Sequence, residues 1–159
     1  VSGDSRIIPL AGTTMTRLVS AIPVVVEQTG RPVVLIGGLA VMCRLPAPHR
    51  ATTDLDTVDR RATGESSQLQ LLLAAGGTPS GPSGAVIQTA YGLVQVDVLG
   101  ITDADVDEPP EDPTHRLEVM SHAWAASTAS ELVLDVQDLP PLTVRVAEPA
   151  PLIAMKLQQ

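Results

Sequence analysis

The stretch "LIGGLAVMCRLPAPHRATTDLDTV", residues 35 to 58, ends an apolar run on Gly37 and Gly38 and returns shortly afterwards with Asp54 and Asp56, two apart. The β-branched run "PVVLIG" at 32–37 predicts a buried strand that stops at the glycines. Leu39, Ala40, Val41 and Met42 predict a helix beginning at Gly38, which Pro46 and Pro48 bring to an end. "TTDLDTV" at 52–58 alternates and predicts a second strand, from which Asp54 and Asp56 project on one face because side chains two apart share a face. Two readings fit: a tight turn before a solvated strand, or a phosphate cradle opposite a metal site.

Carboxylates this close push one another towards protonation unless a cation sits between them. Magnesium takes oxygen ligands and keeps waters or substrate phosphates in its remaining positions, which suits two short acids on an open face. Glycines at a strand-to-helix turn allow backbone N–H groups to approach a ligand, and the new helix N-terminus favours negative charge.

Further along, "AVIQTAYGLVQVDVLG" at 85–100 predicts a hairpin that turns near Tyr91-Gly92. Val94, Val96 and Val98 point one way, so Gln95 and Asp97 point the other. If that strand lies beside the one carrying Asp54 and Asp56, three carboxylates converge, enough for two ions about 3.5–4 Å apart.

Around these strands, 13–29 predicts a helix that Pro23 kinks or splits, and "ESSQLQLLLAA" at 65–75 predicts another. "GGTPSGPSG" and "TDADVDEPPEDP" predict exposed loops. A helix over 117–129, strands near 131–135 and 142–147 and a helix from about 149 complete the pass. Helices and strands alternate throughout and a hairpin is present, so the expected class is α+β with a mixed sheet.

The 159 residues suit one domain spanning 1–159, large enough to bury roughly 70% of the unfolded chain's surface. With no Phe, one Trp and one Tyr, the core must be aliphatic, and no platform exists for stacking single-stranded bases. A net charge of −8, with Lys156 as the only lysine, speaks against a broad sequence-independent nucleic-acid surface. One cysteine, Cys43, rules out an internal disulfide and reads as a small core residue. No apolar run reaches the ~18 residues of a membrane span, and "VSGDSR" lacks the order of a secretory signal, so a soluble, cytoplasmic protein is expected. The end, "LIAMKLQQ", stops within an apolar helical pattern with no terminator, so a truncated chain is expected.

Taken together, Gly37-Gly38 at a strand end, then Arg50-x-Thr52-x-Asp54-x-Asp56, the strand acid of "VQVDVLG" and finally "APLIAMKL" resemble the AbiEii-type toxin branch of the DNA polymerase β-like nucleotidyltransferases. The resemblance spans about residues 30 to 157, and its specific part is the Arg-x-Thr-x-Asp-x-Asp element. It implies a mixed sheet with the acids on one face and helices packed on the other. It also implies Mg²⁺-dependent transfer of a nucleoside monophosphate from a nucleoside triphosphate to an acceptor hydroxyl. Asp54, Asp56 and Asp97 would be the catalytic metal ligands, with Asp97 also helping to deprotonate the acceptor. Gly37 and Gly38 would cradle phosphates, Lys156 would reach the triphosphate, and Arg50 and Thr52 would buttress the acid strand or touch the nucleotide. The acceptor would be RNA, such as tRNA, or a protein, and an antitoxin protein would be a partner. Members of the family usually continue past the "LIAMKL" element with a helical region, which this chain is expected to lack.

Other classes remain beside this one. The chain could be a nucleotidyltransferase-like module that binds a nucleotide or partner without turnover, or an enzyme that modifies a small hydroxyl compound such as an antibiotic. Asp103, Asp105 and Asp107 imitate a calcium loop, but Glu108 and Thr114 stand where that loop needs Gly and Glu, so they read as solvated. His49, His115 and His122 lack metal-ligand spacing and read as surface or cap residues, although His49 beside Arg50 could lie near the mouth of the site.

Overall fold

The computed structural model describes residues 5–44 and 52–158. The chain is built from β1 (Ile7–Leu10), α1 (Thr13–Thr29), β2 (Val34–Ile36), α2 (Gly37–Arg44), β3 (Asp54–Arg61), α3 (Gln68–Ala74), β4 (Thr78–Ser80), β5 (Gly84–Thr89), β6 (Gly92–Thr102), α4 (Asp103–Asp107), α5 (Pro113–Thr128), β7 (Ser130–Val136), β8 (Leu142–Val146) and α6 (Pro149–Lys156). The strands form one eight-stranded sheet in the order β1-β7-β8-β2-β3-β6-β5-β4. It is mixed: β3 runs parallel to β6, and β2 parallel to β8, whereas β2–β3, β5–β6, β4–β5 and β7–β8 are antiparallel. The α+β class and the mixed sheet expected from the sequence are present.

Alternation explains the two faces of the centre. Leu55 and Thr57 on β3, Val94, Val96 and Val98 on β6 and Ala85 and Ile87 on β5 are all buried, and α1 and α3 pack on this side. From α1, Leu18, Ile22 and Val25 supply the facing layer. Each such aliphatic side chain contributes roughly 1.5–3 kcal/mol by leaving water, so a core without Phe is adequate.

This layer also holds a polar network. Asp59, only 3% exposed, receives Gln68 N–H at 2.8 Å and faces Arg31 and Arg61 at 3.5 Å each, while Thr57 Oγ1 donates to Gln68 Oε1 at 3.1 Å. Ser67 caps α3 in a reciprocal capping box with Gln70.

Several expectations need adjustment. α1 runs unbroken through Pro23 rather than splitting. The Gly/Pro/Ser loop contains the edge strand β4, and the acidic loop contains the short helix α4, nucleated by a capping box between Thr102 and Asp105. β1 lies at the sheet's outer edge with Pro9 inside it, a residue that sheets accept at edges. Helices are not confined to one face: α5 packs on β3 and β6 and meets α6, so the acid-bearing side is walled as well. Pro46, Pro48, His49 and Arg50 lie outside the described residues.

Candidate active site

Strand register brings the sequence-predicted acids together. β3 and β6 lie side by side and parallel, with Asp56 opposite Asp97 and Asp54 opposite Gln95. The row continues outward in both directions, from Ile36 on β2 through Asp56 and Asp97 to Gly84 on β5 and Ser80 on β4. Paired residues share a face, so the acids form a patch at the centre of the sheet.

Electrostatics follow from this placement. Burial pushes the Asp56 carboxyl up from 3.8 to about 6, and the charges of Asp97 and Asp54 push it in the same direction, as does a side-chain hydrogen bond with Asp97. The Gly38 N–H opposes them by donating to the Asp56 carboxylate. Gln95 Nε2 donates to Asp97 Oδ1 at 3.1 Å, and Thr53 Oγ1 lies 3.3 Å from Asp54 Oδ1.

The glycines owe their identity to the acid strand itself. Gly37 is left-handed, at φ +67°, and a Cβ there would overlap Asp56 Oδ2 and stand 2.7 Å from Asp56 Cβ. A Cβ on Gly38 would stand 2.8 Å from Thr52 Oγ1. The start of α2 can therefore lie against β3 only because both side chains are absent.

Above the acids opens a cleft of about 1080 Å³. Gly37, Gly38, Thr52, Asp54 and Asp56 line it from the sheet side, and Leu152, Met155 and Lys156 of α6 line it from the other. Lys156, exposed on the last turn of α6, thus shares a cleft with Asp54 and Asp56. Arg44 also reaches the lining but is engaged by Val146 O at 2.8 Å, Ala147 O at 3.1 Å and Ser130 Oγ at 2.7 Å. Thr52 Oγ1 lies 3.3 Å from Asp54 O, which ties it to the acid strand.

From α5, Thr114, Glu118 and His122 complete the wall. His122 is 8% exposed, not the surface or cap residue expected, and its Nδ1 meets Glu118 O at 2.6 Å. A carbonyl only accepts, so Nδ1 carries the proton in that bond. Glu118 and His122 stand four apart on one helix face, a spacing that gives no signal until α5 is known to cross the acid patch. His115 stays exposed at the start of α5, and Cys43 is buried, its thiol pushed up to about 11 mainly by burial.

The donors suit a hard cation, being carboxylate oxygens two of which are in hydrogen-bond contact. Among the described residues, no three His, Cys, Asp or Glu side chains are gathered into a ready-made metal cage. Magnesium commonly binds through one or two carboxylates with waters and substrate phosphates, so the Asp56–Asp97 pair fits it without such a cage. Among the described residues, no helix is long and apolar enough to cross a membrane. In comparisons with known proteins, no family model, no curated protein and no solved structure matches the chain.

Proposed function

We propose that the chain is a nucleotidyltransferase of the AbiEii toxin type, which moves a nucleoside monophosphate from a nucleoside triphosphate to an acceptor hydroxyl on RNA or protein. The observation that carries this reading is the register match of Asp56 and Asp97 on adjacent strands, with Asp54 and Asp56 lining a cleft that Lys156 also lines.

Asp54, Asp56 and Asp97 are the residues that would hold Mg²⁺. Bound there, the ion supplies charge neutralisation for the triphosphate and polarises the α-phosphate. The chain's own groups do the rest. Lys156 offers a point charge to the β- and γ-phosphates, and the positive end of α2 at Gly37-Gly38, whose Gly38 N–H is held by Asp56, favours anionic oxygens nearby. Leu152, Met155 and Leu99 give the cleft apolar walls on which a nucleoside can lie. Asp97 accepts the acceptor's hydroxyl proton, the resulting oxygen bonds to the α-phosphorus, and pyrophosphate leaves with the electron pair of the broken P–O bond.

A module that binds nucleotide without turnover is the second reading. It is favoured by the hydrogen-bonded state of Asp56 and Asp97 and by the lack of a three-ligand group among the described residues. Incubation with Mg²⁺, cell extract and each α-labelled nucleoside triphosphate separates the two. Transfer of label to any species by the unaltered protein, lost with Asp56→Ala, supports the enzyme; equal lanes support the binding module.

A further inference from the structure

Beyond the acids, the row that crosses β4, β5 and β6 contains a second arrangement. Ser80 Oγ donates to Gln95 Oε1 at 2.9 Å, and Gln95 Nε2 donates to Asp97 Oδ1 at 3.1 Å. The Gln95 amide thus turns its oxygen towards the Ser80 hydroxyl and its NH₂ group towards the Asp97 carboxyl. Ser80 reaches Gln95 across an intervening strand. Gly84 stands between Ser80 and Asp97 in register, and a Cβ there would collide with Ser80 O and approach Asp97 Oδ1 to 2.7 Å and Gln95 Nε2 to 3.2 Å. Gly84 has no left-handed φ that would otherwise demand glycine, so the space it leaves is the physical reason for its identity.

We infer that Gln95 is a positioning residue for the acid patch, held by Ser80 through the gap at Gly84, and that it sets which oxygen of Asp97 is offered towards Asp56. With Oδ1 engaged by the amide, rotation about the Asp97 side chain is blocked and Oδ2 is left for a divalent cation. Gln95 also stands opposite Asp54 on β3, so a neutral donor, rather than a fourth carboxylate, occupies the corner of the square formed by Asp54, Asp56, Asp97 and Gln95. This inference rests on the metal-dependent reading given above. Partners that orient metal-binding side chains typically alter metal affinity 10–100-fold when removed.

The test uses Mn²⁺, whose free-ion paramagnetic resonance signal reports binding without turnover. Gln95→Leu keeps much of the side-chain volume and removes the amide; it should raise the Mn²⁺ dissociation constant about tenfold while leaving the thermal midpoint within a few degrees. Ser80→Ala should raise it about threefold, and Ser80→Thr, which keeps the hydroxyl, should restore it. Where transfer is measured, the Mg²⁺ concentration for half-maximal rate should rise in Gln95→Leu, with kcat largely recovered at saturating metal. If Gln95→Leu fails to fold, the Ser80 pair carries the test. Mn²⁺ binding by the unaltered protein with equal affinity in the Gln95 and Ser80 variants overturns the positioning role and leaves the metal site standing. No Mn²⁺ binding by the unaltered protein overturns the metal-dependent reading, and the role of Gln95 with it.

Discussion

Asp56 and Asp97 face one another across the parallel pair β3–β6, and the Asp56 carboxyl is held at about 6 by burial and by the acids beside it. The unfolded chain releases this proton near 3.8, so between those values the fold binds more protons than the unfolded state. Stability from this group is therefore present in full at low pH and is lost as pH rises through about 6. Asp56→Asn removes the penalty and keeps an oxygen for the Gly38 N–H. The full shift corresponds to about 3 kcal/mol; because water reaches part of the group, the expected gain at pH 7.5 is about 1–2 kcal/mol. Thermal melts at pH 7.5 and pH 4 should show the Asp56→Asn variant stabilised at the higher pH and the advantage vanishing at the lower.

The metal role proposed for the same pair predicts that stability depends on divalent cations. Any ligand that binds only the folded state stabilises it, by about 2.7 kcal/mol at a hundredfold excess over its dissociation constant. Adding Mg²⁺ or Mn²⁺ should raise the melting temperature of the unaltered protein at pH 7.5, and chelator should reverse it. Asp56→Asn should respond far less; an equal response would place the cation elsewhere.

Gly37→Ala should be among the most damaging single-methyl changes in the chain. It combines left-handed backbone strain of roughly 1 kcal/mol or more with a collision against Asp56. Gly12→Ala shares the positive φ, +102°, but meets nothing within 4 Å. Denaturant unfolding should find Gly37→Ala the costlier by about 2 kcal/mol or more, in line with overpacking penalties. Equal costs would mean that the approach of α2 to β3 is looser than its geometry.

On the opposite face of the sheet, Asp59 pairs with Arg31 and Arg61 and accepts the first N–H of α3. Asp59→Ala leaves Arg61 and that amide without this acceptor and Arg31 with only Glu65 and Ser66 O, and should cost about 3 kcal/mol. Mn²⁺ affinity in the folded fraction should be unchanged, because Asp59 points away from the acids. A loss of affinity matched to the loss of stability would mean that the two faces are coupled.

Much of this site was legible in residue order. Alternation alone placed Asp54 with Asp56 and set Asp97 opposite the valines of its strand, and the glycines marked where β2 turns into α2. What residue order could not supply was pairing: that β3 and β6 are neighbours, in a register that sets Asp56 against Asp97, is decided by long-range packing of strands separated by α3 and a hairpin. For the same reason the roles of Ser80 and Gly84 were hidden in a stretch read as loop by its Gly, Pro and Ser content. That Glu118 and His122 line the cleft was missed because the surface a helix face covers shows only when its neighbour is known. The turn reading of Gly37-Gly38 and the cradle reading are both compatible with the close packing found there, so the glycines by themselves do not separate them.

The most direct measurement is anomalous diffraction from crystals grown with Mn²⁺ and a non-hydrolysable nucleoside triphosphate. The proposed chemistry requires metal density within about 2.1 Å of oxygens from Asp56 and Asp97, with the triphosphate between those acids and Lys156. Metal and nucleotide bound away from the Asp56–Asp97 pair, or no density at saturating concentrations of both, would contradict it.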